Sequence, residues 1–313
     1  MSDAYHVPVL LPESVAALQI MPDGIYADAT FGGGGHSRAI LAQLGEQGRL
    51  FGFDQDSDAQ ANAPQDPRFR LIAHNFSHIK QYLRLYGIRQ LDGIIADLGV
   101  SSHQFDTPER GFSIRYDQQP LDMRMNQQDD NAPTAADILN TYTEAQLVSI
   151  FQEYGELPAS KRLAHAIINA RRGGKLRNVG DLKHLATPFM PPKGEYQYLA
   201  QLFQALRIAV NAEMDALKKL LEHSAELLRP DGRLVVISYH SLEDRLVKNY
   251  LKKGTFDGSD YKDFYGKSLQ PFRSVYAKPI VPEAHELHHN PKSRSAKMRV
   301  GIRIDNSENP NKE

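Results

Sequence analysis

Ile25-Tyr26-Ala27-Asp28-Ala29-Thr30-Phe31-Gly32-Gly33-Gly34-Gly35-His36 runs from a short apolar stretch, through an acid and four glycines, into a helical pattern. The apolar stretch reads as a strand and residues 36–44 as a helix, so the glycines fill a strand-to-helix turn. Glycine at such a turn lets the backbone approach a ligand closely and adopt angles closed to other residues.

Beyond this turn, Arg49-Leu50-Phe51-Gly52-Phe53-Asp54 is a second strand ending at an acid. Residues 69–73 are a third, and Asp92-Gly93-Ile94-Ile95-Ala96-Asp97 is a fourth, again ending at an acid. Strands separated by helices predict β-α-β units and a parallel sheet, an α/β fold. The rhythm then stops. Between residues 104 and 198 only helical segments occur, at 135–139, 144–154 and 161–172, punctuated by Pro120, Pro133, Pro158, Pro188, Pro191 and Pro192. Apolar positions near a 3.6 spacing predict one long helix over 199–228. Arg229-Pro230-Asp231-Gly232 turns into the buried strand Leu234-Val235-Val236-Ile237-Ser238, and residues 274–280 and 298–304 read as closing strands. The predicted organisation is a core over 1–104, an inserted all-helical domain over 105–198, and the rest of the core over 199–313.

Composition narrows the chemistry. A hydrophobic fraction of 41% and a charged fraction of 24% are those of a globular protein. The chain has no cysteine, which excludes disulfides, thiolate metal sites and cysteine nucleophiles and fits a reducing cytoplasm. No signal peptide and no membrane span are expected. The net charge of -1 hides an uneven distribution. Residues 161–183 hold Lys161, Arg162, Arg171, Arg172, Lys175, Arg177 and Lys183 against Asp181 alone, and Lys292, Arg294, Lys297, Arg299 and Arg303 form a second run. Two such runs beside a ligand-binding turn point to a polyanionic partner.

Two cofactor classes use a glycine turn of this kind. A dinucleotide fold expects Gly-x-Gly-x-x-Gly, but Ser37 stands where the third glycine belongs. Methyl-donor folds favour an acid four residues before a Gly-x-Gly, which Asp28 and Gly32-Gly33-Gly34 satisfy. Asp54 is placed to accept hydrogen bonds from ribose hydroxyls, and that serves nicotinamide and S-adenosylmethionine cofactors equally. Asp97 lines the crevice at the carboxyl ends of the strands, and Asp97-Leu98-Gly99-Val100-Ser101-Ser102 is a polar segment suited to face an acceptor nitrogen. A base amine is a poor nucleophile because its lone pair is delocalised into the ring. A hydrogen-bond acceptor on its NH2 favours a more tetrahedral nitrogen, so alignment is the main task and no metal is required.

On these residues the chain resembles the bacterial 16S ribosomal RNA cytosine-N(4)-methyltransferase family along nearly its whole length. The resemblance rests on the glycine segment, Asp97-Leu98-Gly99-Val100-Ser101-Ser102-His103-Gln104, Glu109-Arg110-Gly111-Phe112-Ser113 and Pro120-Leu121-Asp122-Met123-Arg124-Met125. It continues through Phe203-Gln204-Ala205-Leu206-Arg207-Ile208-Ala209-Val210-Asn211, His240-Ser241-Leu242-Glu243-Asp244-Arg245 and Asn290-Pro291-Lys292-Ser293-Arg294-Ser295. It implies a Rossmann-like class I methyltransferase sheet with an inserted helical domain, and N(4)-methylation of a cytidine in the decoding region. It implies S-adenosylmethionine held by Gly34, Gly35, His36, Asp54, Phe76, Asp97 and Gln104, with Phe76 coming from the resemblance only. A small-subunit or free 16S rRNA partner and a homodimer are implied too. One block departs: after Tyr154-Gly155-Glu156 the family often carries an Arg and an aromatic, where this chain has Leu157-Pro158-Ala159-Ser160. Lys161, Arg162, Arg171 and Arg172 remain the expected RNA contacts.

Two other motifs compete. His285-Glu286-Leu287-His288-His289 matches the zinc-protease pattern, but Pro282 and Pro291 leave room for barely two turns, so a surface loop is expected and no metal. His240-Ser241-Leu242-Glu243-Asp244-Arg245 lacks a nucleophile elbow, and the expected structure is a helix start capped by Ser241 with Asp244 three residues on. His240 and Arg245 are then candidates to touch the target cytidine or its phosphate. The chief alternative function is a non-catalytic ribosome-assembly factor on the same scaffold. A nicotinamide enzyme is a second, and an adenine or DNA target a variant of the first reading.

Overall fold

Each short apolar run before residue 100 becomes a strand in the computed structural model, which describes residues 8–260, 266 and 270–305. The strands are β1 (Ile25–Asp28), β2 (Arg49–Phe53), β3 (Phe69–Ile72), β4 (Leu91–Asp97), β5 (Leu228–Ser238), β6 (Phe272–Ser274) and β7 (Lys297–Arg303). They form one sheet in the order β3-β2-β1-β4-β5-β7-β6. The first five are parallel, and β7 runs antiparallel to both its neighbours. This is a Rossmann-like α/β sheet, as the resemblance implied.

Burial on both faces explains the continuous apolar runs. Ile94, Ala96, Leu234 and Val236 pack with Leu217, Leu220 and Leu221 of the helix Glu213–Leu227 on one face. Ile95, Val235 and Ile237 point the other way, onto Leu18, Ile40 and Leu41. Each such Leu, Ile or Val side chain, taken fully from water, contributes about 1.5–3 kcal/mol. The strand order reverses between β1 and β4, and in open parallel sheets the ligand crevice opens at the carboxyl ends of the strands where that reversal occurs.

The chain divides into two compact units: Met1–Gly99 with Asp215–Glu313, and Val100–Met214. These bounds fall at 99/100 and 214/215 rather than at 104/105 and 198/199. The helix Glu195–Val210 accounts for the later bound, because Leu199, Leu202, Phe203 and Leu206 pack into the core of the second unit. That core also takes Ile138, Leu147, Phe151, Leu163, Ile167 and Leu182 from four further helices. Three of these begin with capping boxes, Thr134 with Asp137, Thr143 with Gln146 and Asn178 with Asp181.

Two expectations need correction. The single helix over 199–228 is two helices, Glu195–Val210 and Glu213–Leu227, broken at Ala212 with φ 47°. Asn211 makes the break. Its Oδ1 accepts from Met125 N–H at 2.8 Å, and its Nδ2 donates to Met123 O at 2.8 Å and Arg207 O at 2.9 Å. The strand expected over 274–280 ends at Ser274, and farther on only Ile280 bridges to Met298. Pro279, without an N–H, cannot extend a ladder there.

Candidate functional site

The strands of the first unit carry three carboxylates to one edge of the sheet, with Asp28 ending β1, Asp97 ending β4 and Asp54 following β2. The glycine turn is tied to both neighbouring strands. Ala29 N–H donates to Ile95 O at 2.8 Å and Phe31 N–H to Phe53 O at 2.9 Å. Gly34 has φ 73°, and a Cβ there would meet the Phe31 ring at 2.8 Å, so only glycine fits. Gly33 differs, since nothing lies within 4 Å of where its Cβ would be. Arg38 donates to Gly33 O at 2.6 Å and Asn62 Nδ2 to Gly32 O at 3.1 Å, so the turn is braced through its carbonyls.

Asp54 closes the turn. Its Oδ2 accepts from Gly32 N–H at 2.7 Å and its Oδ1 from Asp56 N–H at 2.8 Å. A carboxylate has about four acceptor positions, so it can hold the turn and still meet ribose hydroxyls. Asp28 is buried, and its oxygens accept from the Ser37 hydroxyl at 2.7 Å and Thr30 N–H at 3.2 Å. Burial pushes its carboxyl up to about 6 against those two bonds. Ser37, standing where a dinucleotide fold would have its third glycine, is thus used as a donor to this acid.

Asp97 is pushed up to about 7, first by burial, with Asp28, Glu243 and Glu286 adding repulsion and the Tyr239 hydroxyl opposing them. Its N–H donates to Thr30 Oγ1 at 2.6 Å. His36 Nδ1 lies 4.0 Å from Asp97 Oδ2, but burial holds the imidazole down to about 4, so at neutral pH it is uncharged. Its Nε2 is buried with no hydrogen-bond partner among the described residues. Phe76 opens a short 3-10 turn, Phe76–His78, capped by Asn75, and packs half-buried against the core. Asn75 Nδ2 donates to Gln55 Oε1 at 3.0 Å, which ties this turn to the residue after Asp54.

Asp28, His36, Asp54, Phe76 and Asp97 therefore share the first unit, while Gln104 belongs to the second. Gln104 is buried in the helix Ser102–Asp106, where its Oε1 accepts from Ser101 N–H at 3.1 Å in a capping box. The helix Ser241–Lys253 is capped one residue earlier than expected, by His240 with Glu243. His240 Nε2 lies 3.2 Å from Glu243 Oε1, so that imidazole is engaged with a buried acid. Asp244, the acid expected in the cap, instead pairs with Arg299 at 2.6 Å. Arg245 is exposed on the same helix. Glu286 of the His-Glu-x-x-His segment accepts from Leu10 N–H at 2.9 Å, within the helix Ala284–His289. Sequence reasoning missed Thr30, Tyr239 and Glu286. The first two had a usable signal, since each stands just beyond the carboxyl end of a strand.

The basic runs are not uniform. Lys161, Arg162, Arg172, Lys175 and Arg177 are exposed, with Arg162 over the Phe189 ring at 5.3 Å. Arg171 is half-buried and donates to Leu139 O at 3.1 Å and Tyr142 O at 2.7 Å, which closes the helix Ala135–Thr141. Arg299 and Arg303 are likewise occupied within the first unit, Arg303 on Ala225 O and Pro271 O. The block that departs from the family packs as core, with Leu157 buried and its carbonyl accepting from the Ser160 hydroxyl at 2.6 Å.

A family model described as the MraW methylase family matches residues 3–304. A protein of Parabacteroides distasonis named ribosomal RNA small subunit methyltransferase H is 53% identical over 301 residues, covering 96% of this chain and 98% of the relative. One of the same name from Bacteroides thetaiotaomicron is 54% identical over 296 residues, covering 95% and 96%. Another from Amoebophilus asiaticus is 55% identical over 304 residues, covering 96% and 97%.

Proposed function

The chain belongs to the MraW methylase family, and from that premise we propose that it transfers a methyl group from S-adenosylmethionine to the N(4) amine of a cytidine in the decoding region of 16S ribosomal RNA. What carries the reading is the match, along nearly the full chain, to relatives named as small-subunit ribosomal RNA methyltransferases. It supports catalysis over a scaffold-only role in ribosome assembly.

The first unit fits the methyl donor on its own geometry. The turn is open at Gly33, Asp54 is tied to it through Gly32 N–H, and a buried imidazole nitrogen of His36 has no partner among the described residues. When bound, the donor supplies a methyl group already activated on sulfonium. The glycine backbone at Gly34 and Gly35, with His36, holds its methionine part. Asp54 accepts from the ribose, and Phe76 flanks the adenine; Gln104, on the second unit, is assigned to the donor by the family resemblance alone. Asp97 accepts a hydrogen bond from the target amine and orients its lone pair toward the methyl carbon. A cytosine must be unstacked to reach it, and Lys161, Arg162, Arg172 and Lys175 hold the RNA backbone while that happens. Arg171, committed to two carbonyls, supports that surface rather than the RNA. His240 and Arg245 are assigned to the cytidine or its phosphate. The same reading gives a cytoplasmic homodimer whose partner is the small subunit or its free rRNA. No helix among the described residues is long and apolar enough to cross a membrane.

In a strain lacking the gene, nucleoside digests of small-subunit rRNA should lose N(4)-methylcytidine, and this chain should restore it. Undiminished N(4)-methylcytidine in the deletion strain would overturn the assignment.

A further inference from the structure

One hydroxyl that no motif singled out lies against the reacting end of this site. Tyr239 follows the last residue of β5, and its phenol donates to Asp97 Oδ1 at 2.7 Å. Its own backbone is fixed, because Tyr239 N–H donates to Glu243 Oε2 at 2.8 Å and Glu243 is buried. Burial and the neighbouring Asp97 carboxylate push the phenol far above its ordinary range, so it stays a donor at every working pH. The Asp97 backbone is held by Thr30, whose Oγ1 accepts from its N–H at 2.6 Å. Among the described residues, the group paired with Asp97 Oδ2 is the uncharged His36 ring, at 4.0 Å. One carboxylate oxygen is thus occupied by a fixed donor and the other is left as an acceptor.

Resting on the reaction proposed above, we propose that Tyr239 is a positioning residue for methyl transfer, fixing the Asp97 carboxylate so that Oδ2 is the oxygen that accepts from the target amine. In the transfer the nitrogen lone pair forms the bond to the methyl carbon as the carbon–sulfur bond breaks, its electron pair staying on sulfur. The nitrogen then carries a positive charge and gives one proton to ionised Asp97 Oδ2, which passes it to water. Without the phenol the carboxylate can rotate. It also holds its proton more tightly, because a hydrogen bond to the charged form is what favours ionisation.

The titratable groups facing Asp97 are Asp28 and His36 from the first strand and its turn, Tyr239 and Glu243 from the segment after β5, and Glu286 from the helix Ala284–His289. Of these, Tyr239 opposes the rise of Asp97 and the three acids promote it. The test is Tyr239→Phe, which keeps the ring, assayed with RNA that the wild-type chain methylates, so that a failure of the reaction itself shows first in the wild type. The expected result is a kcat lower by about tenfold and an acid limb of the pH profile moved up by about one unit, with S-adenosylmethionine binding unchanged. An acid limb that does not move, or weakened donor binding with kcat intact, would overturn the proposal. Should the Phe variant aggregate, Tyr239→Met must give the same displaced limb.

Discussion

Asp28 and Asp97 end strands of the first unit and His36 lies in the first turn of the helix Gly35–Leu41; Asp28 and His36 are buried and Asp97 is half-buried, each driven toward its neutral form by loss of water. Lys161, Arg162, Arg172 and Lys175 stand exposed on the second unit, in bulk solvent. The first arrangement costs stability and yields, in Asp28 and Asp97, groups whose charge state changes near working pH. The second costs almost nothing and yields attraction that salt screens. One chain can thus assign chemistry to buried charge and grip to exposed charge. The first region should then answer to pH and the second to ionic strength.

The largest effect is expected where the half-buried charge of Asp97 is removed. Asp97→Asn should lower the transfer rate by about 10²–10⁴-fold while leaving RNA affinity alone. It should also stabilise the fold at pH 8, because an ionised, half-buried carboxylate is gone and the Tyr239 hydroxyl can still donate to the amide oxygen. Calorimetry should show a thermal midpoint a few degrees higher. The sign follows from linkage. Asp28 and Asp97 have folded values of about 6 and about 7, above the ordinary carboxylate range, so the stability they allow is lost as pH rises through those values. His36, lowered to about 4, works the other way below the ordinary imidazole value. Above pH 6.5 or so only Asp97 remains. The wild-type midpoint should fall between pH 6 and 8, and a fall of the same size in Asp97→Asn would refute the role given to this acid.

Replacing Lys161, Arg162, Arg172 and Lys175 together by Gln should weaken RNA binding by about tenfold or more. The slope of log affinity against log salt should flatten by roughly 0.7 for each phosphate no longer neutralised. Donor binding should not change. If the salt slope stays, the second region is a solvated face and the contrast between the two regions fails. Arg171→Gln separates packing from grip within that region. This change should cost the second unit about 1–3 kcal/mol, because two carbonyls lose a charged donor, with little effect on the salt slope. Urea unfolding followed by a probe in that unit reads the difference.

Much of the first region was legible. Strand-terminal acids, a glycine turn and two-sided apolar runs are local signals, and β1, β2 and β4 fall within a residue of their expected ends. Asp28 and Asp54 were visible for the same reason, although the use of Ser37 as a donor to Asp28 needed coordinates. The second region was less legible, because whether a cation is free or spent is decided by residues distant in sequence. Arg171 reaches carbonyls 32 and 29 positions away. The break at Asn211 was hidden too, since apolar spacing continues across it and neither Gly nor Pro marks it. Its only cue is a side chain able to bond Met123 and Met125, 88 and 86 positions earlier. Tyr239 was overlooked because it precedes a segment rich in familiar catalytic types.

The decisive measurement supplies methyl-labelled S-adenosylmethionine with small ribosomal subunits, or their free rRNA, from cells lacking the gene, and resolves the digested nucleosides. The proposed reaction predicts label in N(4)-methylcytidine alone. Label in another nucleoside, or none in either substrate despite measured donor binding, would contradict it.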